Sequence, residues 1–269
     1  MRELERDPIP DLIEPPEPIP ALAIVGAGRV GGSLAAAAAR AGLDSRLAGR
    51  DGALAALNEA EAALVCVPDA AIAAAAAAAA SAVPPLRWVG HTSGATGLEP
   101  LEPARRRGAA TFSLHPLQTV PGPDADLTGA PCAVAGSDPA AERFAAALAE
   151  RLGMRPFAIA DEHRAAYHAA ASIASNFLVT LQESAADLLS GAGVDDAREL
   201  LAPLVLRTAA NWAERGGEAL TGPIARGDED TVVRHLEAID DLAPELRAVY
   251  EALAERTREL ARETEEAGR

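Results

Sequence analysis

Short apolar runs recur along the chain at 21–25, 44–49, 62–67, 87–91, 110–114, 131–135 and 155–159. Alanine-rich stretches of helical pattern lie between several of them. Brief apolar runs bounded by polar or turn residues read as buried strands. Strands alternating with helices predict a parallel sheet covered on both faces, an α/β doubly wound domain. Near residue 160 the rhythm changes. Beyond it, Asp161–Leu189, Asp195–Glu214, Asp228–Ile239 and Pro244–Glu266 all follow helical spacing. The expected organisation is a doubly wound domain over 19–160 and an all-helical domain over 161–269. Residues 1–18, acidic and rich in proline, are expected to form a disordered tail. The alanine tract after Pro68 reads as a packed helix, because alanine is the best helix former, with Asp69 as its expected cap.

The segment ALAIVGAGRVGGSL gives the first domain a chemistry. An apolar run is followed by Gly26, Gly28 and Gly31 in the spacing G-x-G-x-x-G, and a helix then opens. The first glycine suits a tight turn, the second lets the backbone approach a pyrophosphate, and the third lets helix and strand pack closely. Unpaired N–H groups at the helix start, around Arg29 and Val30, favour phosphate. These residues are expected to hold a dinucleotide. Arg50 closes the second strand, where an acid usually holds the ribose 2′-OH and an arginine accommodates a 2′-phosphate. NADP is therefore the expected cofactor, although Asp51 follows at once and Arg50 also reads as a solvated surface residue. Val67 and Pro68 end the third strand and Ser93 follows the fourth. Both places border a ligand crevice in open α/β sheets, and both also read as ordinary turn chemistry.

Composition narrows the partners. The formal charge of −16 excludes the basic face that nucleic acid or an anionic membrane requires. All 24 basic residues are arginine, so no lysine acid, base or Schiff base is available. Cys66 and Cys132 lie in apolar runs and read as core. The five histidines lack the spacing of a metal site, and none is expected. The alanine tract is too weakly apolar and too broken by Pro84 and Pro85 to cross a membrane. The N-terminus does not read as a signal peptide. A soluble cytoplasmic protein acting on a small anionic substrate is the expectation.

Three further stretches hold polar groups. In SLHPLQ, His115 precedes a proline, so its backbone is extended and its ring can enter a crevice; a satisfied structural histidine fits equally well. In YHAAASIASN, His168, Ser172 and Ser175 fall at i, i+4 and i+7 on an otherwise small and apolar helix, with Asn176 beside them. A histidine there can protonate a developing alkoxide. Close packing of the small face, with hydroxyls bonded to carbonyls, is the structural alternative. In LTGPIARGD, Thr221, Gly222 and Pro223 make a turn and Asp228 can cap the next helix. Arg226 is left over as a fork for a carboxylate, or as a surface ion pair.

The stretches IVGAGRVGGSL, VPD at 67–69, HTSGA, SLHPLQT, AYHAAASIASN and ALTGPIARGD, in that order, resemble the Rossmann-like oxidoreductases that carry a C-terminal domain of unknown function 2520. The resemblance covers nearly everything after residue 20. It implies a dinucleotide domain followed by a helical domain, paired in a homodimer, and an architecture similar to pyrroline-5-carboxylate reductase. Some relatives are considered an alternative ketopantoate reductase. Ketopantoate reductases and hydroxyacid dehydrogenases use a lysine in the helical domain, and this chain has none. The implied activity is NADP(H)-dependent reduction of a small keto or imino carboxylate. His168 and Asn176 would hold and protonate the oxygen. Arg226, with Thr221, His115, Ser172 and Ser175, would bind the substrate. A non-catalytic NADP(H) sensor and an imine reductase remain as alternatives.

Overall fold

In the computed structural model, residues 18–267 are described. The expected tail lies outside them, apart from Pro18. The chain divides into two compact units, Met1–Ala171 and Ser172–Arg269. The first begins with β1 (Leu22–Val25), α1 (Arg29–Arg40), β2 (Ser45–Ala48), α2 (Ala53–Asn58), β3 (Ala62–Val65), α3 (Ile72–Ala80) and β4 (Trp88–His91). It continues with a short α4 (Glu102–Arg105), β5 (Ala110–Pro116), β6 (Pro131–Gly136), α5 (Pro139–Arg151), β7 (Arg155–Ala158) and α6 (Arg164–Ser172). Every apolar run read as a strand is one.

The sheet order is β2-β1-β3-β4-β5-β6-β7. From β2 to β5 all pairs are parallel, but β6 runs antiparallel to β5 and β7 is parallel to β6. The uniformly parallel sheet expected from the alternation is thus corrected at one pairing. A parallel return needs a crossover, usually a helix. The connection from β5 to β6 carries no helix, so the chain reverses, whereas α5 bridges β6 to β7 and restores a parallel step.

Alternate residues of each central strand feed opposite faces. Leu22 and Ile24 of β1, with Leu64 of β3, join the core that includes Leu34 of α1 and Leu148 of α5. Ala23 and Val25 of β1, with Ala63 of β3, join the opposite core, with Leu57 of α2 and Ile72 and Ala76 of α3. Strands buried on both faces read as continuous apolar runs, which is why they were legible. The alanine tract is the packed helix α3. Its start differs from expectation: Asp69 opens a 3-10 turn over Asp69–Ala71 and its side chain makes no capping bond. Capping by aspartate occurs instead at α5, where Asp138 accepts from the N–H groups of Ala140 and Ala141, both at 2.9 Å.

The second unit holds a π-helical turn (Ile173–Phe177), α7 (Leu178–Gly191), α8 (Ala197–Arg215), α9 (Glu229–Leu242) and α10 (Arg247–Ala267). Its start at Ser172 falls later than the expected boundary near 160, since the first turns of α6 pack with the sheet. Asp228 caps α9 as expected, accepting from Thr231 N–H at 3.1 Å. The side chains of His235 and Tyr250 join α9 to α10 at 2.7 Å. Large apolar residues of this unit stay exposed, among them Phe177, Leu204, Leu206 and Trp212, the last 66% exposed. No helix among the described residues is long and apolar enough to cross a membrane.

The glycines of the first loop are separated by what surrounds them. A Cβ on Gly31 would stand 1.9 Å from the Gly26 carbonyl oxygen, whereas a Cβ on Gly28 would meet nothing within 4 Å. Gly28 also has an ordinary negative φ of −86°. Gly31→Ala is therefore expected to cost about 1–3 kcal/mol through overpacking, and Gly28→Ala less than about 0.5 kcal/mol, as at ordinary surface sites. Urea unfolding midpoints of the two variants check this; equal midpoints would contradict it.

Candidate functional site

The chain leaves β1, forms β2 on one side of it, and returns to β3 on the other. Such a reversal opens a crevice at the carboxyl ends of the strands. Gly26 lies in that opening with φ +120°, and a Cβ on it would stand 2.2 Å from the Cys66 carbonyl oxygen. A side chain is excluded there by both backbone angle and space. Gly28 precedes α1, whose first turn holds no acidic residue and no side-chain cap. Its N–H groups are open to an anion. Arg29 and Arg50 are exposed, and neither guanidinium has a hydrogen-bond or ion-pair partner among the described residues. Open donors, a glycine with free space above it and two uncommitted cations fit a phosphorylated dinucleotide. Val30 is half-buried against the core at the start of the same helix.

The strand order sets the other expected residues in a row along this edge. Arg50 follows β2, the glycine loop follows β1, Val67 and Pro68 follow β3, Ser93 follows β4, and His115 is the last residue but one of β5. Ser93 is buried, and its hydroxyl accepts from Thr96 N–H at 3.0 Å and Ala95 N–H at 3.3 Å. His91 accepts from Ser93 N–H at 3.1 Å through Nδ1 and donates to the Gly97 carbonyl at 2.8 Å through Nε2. Burial lowers its pKa below the usual histidine range. The HTSGA stretch is thus a loop braced by a neutral histidine, and the Ser93 oxygen is largely committed to that loop.

His115 is held tightly. Its Nδ1 lies 2.6 Å from the Tyr167 hydroxyl of α6. Its ring fills the space beside Gly94, where a Cβ would stand 2.7 Å from Cε1. Burial first, then the nearby positive charge of His168 and Arg164, pushes its pKa down to about 4. The ring is neutral near pH 7, with one nitrogen able to donate and the other to accept. Burial likewise pushes the Tyr167 hydroxyl up to about 12, so it stays protonated. His168 is exposed, with its ring centroid 6.2 Å from that of His115, and makes no hydrogen bond among the described residues.

Sequence reasoning missed the groups that hold this pair. Arg164 opens α6 and is only 2% exposed. It donates to Asp161 Oδ1 at 2.6 Å through Nε and to the Ser113 hydroxyl through Nη2. The spacing of Asp161, Arg164 and Tyr167, three apart, was a readable sign of one helix face. That the face meets β5 was not readable.

The remaining expected residues belong to the second unit. Ser175 and Asn176 lie in the π-helical turn, with Ser172 just before it. The i→i+5 bonding of that turn interrupts the 3.6-residue period on which the expected stripe was drawn. Asn176 is exposed, and its carbonyl accepts from the Thr180 hydroxyl at 3.2 Å. Thr221 is exposed before the turn that Gly222 begins with φ +105°. Arg226 N–H bonds to the Pro223 carbonyl at 3.1 Å within that turn. Its exposed guanidinium has no ion pair among the described residues, though its charge helps lower the Asp228 carboxyl. No cluster of three or more potential metal ligands occurs among the described residues.

The sequence matches two family models, a Rossmann-like domain over residues 50–116 and the domain of unknown function 2520 over residues 130–257. No curated protein matches the chain. The fold is similar to that of a candidate NADP oxidoreductase of Bacteroides fragilis, with TM-score 0.73 and 24% identity over 90% of this chain and 98% of that one. A Thermotoga maritima protein gives TM-score 0.72 and 22% identity over 91% and 100%. A reductive aminase from Aspergillus terreus, solved with NADPH and ethyl levulinate, gives 0.61 and 19% over 89% and 93%. At these identities the likeness is one of fold. The chain thus carries a Rossmann-like domain followed by the domain of unknown function 2520.

Proposed function

We propose that the protein is an NADP(H)-dependent oxidoreductase that reduces a small keto or imino carboxylate, with ketopantoate the leading substrate. The observation that carries this reading is the row along the sheet edge: an uncommitted arginine after β2, an open helix start after β1, and a buried histidine–tyrosine pair at β5. Gly26, Gly28, Arg29, Val30 and Gly31 would hold the pyrophosphate, Arg50 the 2′-phosphate, and Val67, Pro68 and the Ser93 loop the far half of the dinucleotide. The bound cofactor supplies a hydride, and the protein's own task is to orient the substrate and protonate its oxygen. Helix α6 and His115 bring the proton-handling groups. Asn176, Ser172, Ser175, Thr221 and Arg226 are proposed to bind the substrate. The fold's likeness to a candidate NADP oxidoreductase and to a reductive aminase solved with NADPH supports the reductase class. The second of these keeps an imine substrate as the alternative.

A homodimer is part of the same proposal. Monomers rarely expose many large apolar side chains together, and the second unit leaves Phe177, Leu204, Leu206 and Trp212 exposed. Sedimentation equilibrium is expected to give twice the chain mass; a monomer at micromolar concentration would contradict it.

Arg50 carries the cofactor preference. Losing a charged hydrogen bond to phosphate costs about 1.5–3 kcal/mol, so Arg50→Ala is expected to weaken NADPH binding by roughly 10- to 150-fold and leave NADH binding unchanged. Fluorescence titration of both cofactors measures this. Equal affinity of the wild type for NADPH and NADH would remove the argument.

Arg226 is the proposed anchor for the substrate carboxylate. A panel of 2-keto acids and cyclic imines, followed by NADPH absorbance, identifies the substrate. With it, Arg226→Lys and Arg226→Ala are both expected to lower kcat/KM by roughly 30-fold or more, because lysine lacks the bidentate fork. NADPH affinity should not move. Full activity in the lysine variant would show that Arg226 is no anchor.

A further inference from the structure

The geometry points to Tyr167, hydrogen-bonded to His115, as the proton donor to the substrate oxygen; this inference rests on the reductase reading. Two cross-links hold the pair in register. Ser113 and His115 are two apart on β5 and so share a face of the strand. Arg164 and Tyr167 are three apart on α6 and share a face of the helix. Arg164 binds the Ser113 hydroxyl, and Tyr167 meets His115 Nδ1 at 2.6 Å. Asp161 holds Arg164 from the other side. Phe157 packs edge-on against the Tyr167 ring, with centroids 6.0 Å apart. A donor whose orientation is set by its neighbours loses little on reaching the transition state.

His168 lacks this support. It follows Tyr167 directly, but its ring is exposed and has no hydrogen-bond partner among the described residues. Tyr167 is half-buried, so it meets both the interior and an incoming ligand. Its place at β5 ends the row that begins with Arg50 at β2. A dinucleotide held by Arg50 and the glycine loop would leave the residues after β4 and β5 for its hydride-supplying half.

A phenol can accept one hydrogen bond while donating another. In the tautomer with a proton on Nδ1, His115 donates to the Tyr167 oxygen and leaves the phenolic O–H free. As the carbonyl carbon takes the hydride, the π electron pair moves to oxygen. The Tyr167 O–H bond then breaks and that oxygen gains the proton. The phenolate recovers a proton from His115 Nδ1 while Nε2 takes one from water, so the imidazole stays neutral overall. The nearby charge of Arg164 favours the transient phenolate.

Two measurements test the assignment. In 15N-histidine NMR spectra of the free protein, Tyr167→Phe is expected to shift the His115 Nδ1 resonance; an unchanged resonance would show that the pair is absent and overturn the assignment. In the NADPH assay, Tyr167→Phe is expected to lower kcat by about 10²–10⁴-fold with the NADPH dissociation constant unchanged. A kcat within threefold of wild type, or a larger loss in His168→Ala than in Tyr167→Phe, would overturn it. A wild type that reduces no member of the panel would defeat the reductase reading itself, and the donor assignment with it.

Discussion

Everything along the carboxyl edge of the sheet depends on a contact that leaves no room for side chains. The Gly26 carbonyl oxygen occupies the place of a Cβ on Gly31, and the Cys66 carbonyl occupies the place of a Cβ on Gly26. The turn after β1, the start of α1 and the end of β3 are thereby pressed together at backbone distance. Only that closeness brings the open N–H groups of α1 into the crevice. Gly28, two residues further on, has the opposite surroundings: nothing lies above it. A glycine with empty space and an unstrained backbone makes sense as room for a ligand rather than for the protein itself.

A second constraint lies two strands away. A buried guanidinium is costly unless it is paired and hydrogen-bonded. Arg164 meets that requirement through Asp161 and Ser113, while its Nη1 has no partner among the described residues. The same arrangement fastens the start of α6 to β5. Its charge joins burial in keeping His115 neutral. One buried arginine thus positions its neighbours and adds to the burial that keeps His115 neutral. Lysine, a point charge without a planar fork, could not make both contacts in the same way.

The two units differ in how they spend apolar residues. The first buries its central strands β1, β3 and β4 throughout and covers both faces with alanine-rich helices, whose small side chains allow close approach. The second leaves large side chains at its surface, and beside buried Val232, Ile239 and Ala254 it has polar links, such as the His235–Tyr250 bond and the Arg258–Glu229 pair between α9 and α10. Exposed ion pairs of that kind contribute little, typically 0–1 kcal/mol.

The strands, the glycine loop, the Asp228 cap and the passage from an α/β to a helical region were all legible in the sequence, because each depends on neighbours within a few positions. Periodicity reports which face is buried, and a glycine spacing reports a turn. The antiparallel β6 was not legible, since strand direction depends on whether a helix returns the chain. Nor was the π-helical turn, which breaks the period used to place Ser175 and Asn176 beside His168. The role of Arg164 was hidden for a similar reason: its spacing from Asp161 and Tyr167 marks a helix face, but nothing local says which strand that face meets. Residue pattern alone determined the elements and the dinucleotide loop. Only the tertiary structure decided that Tyr167 meets His115, because that contact joins residues 52 apart in the chain and follows from how α6 packs on the sheet.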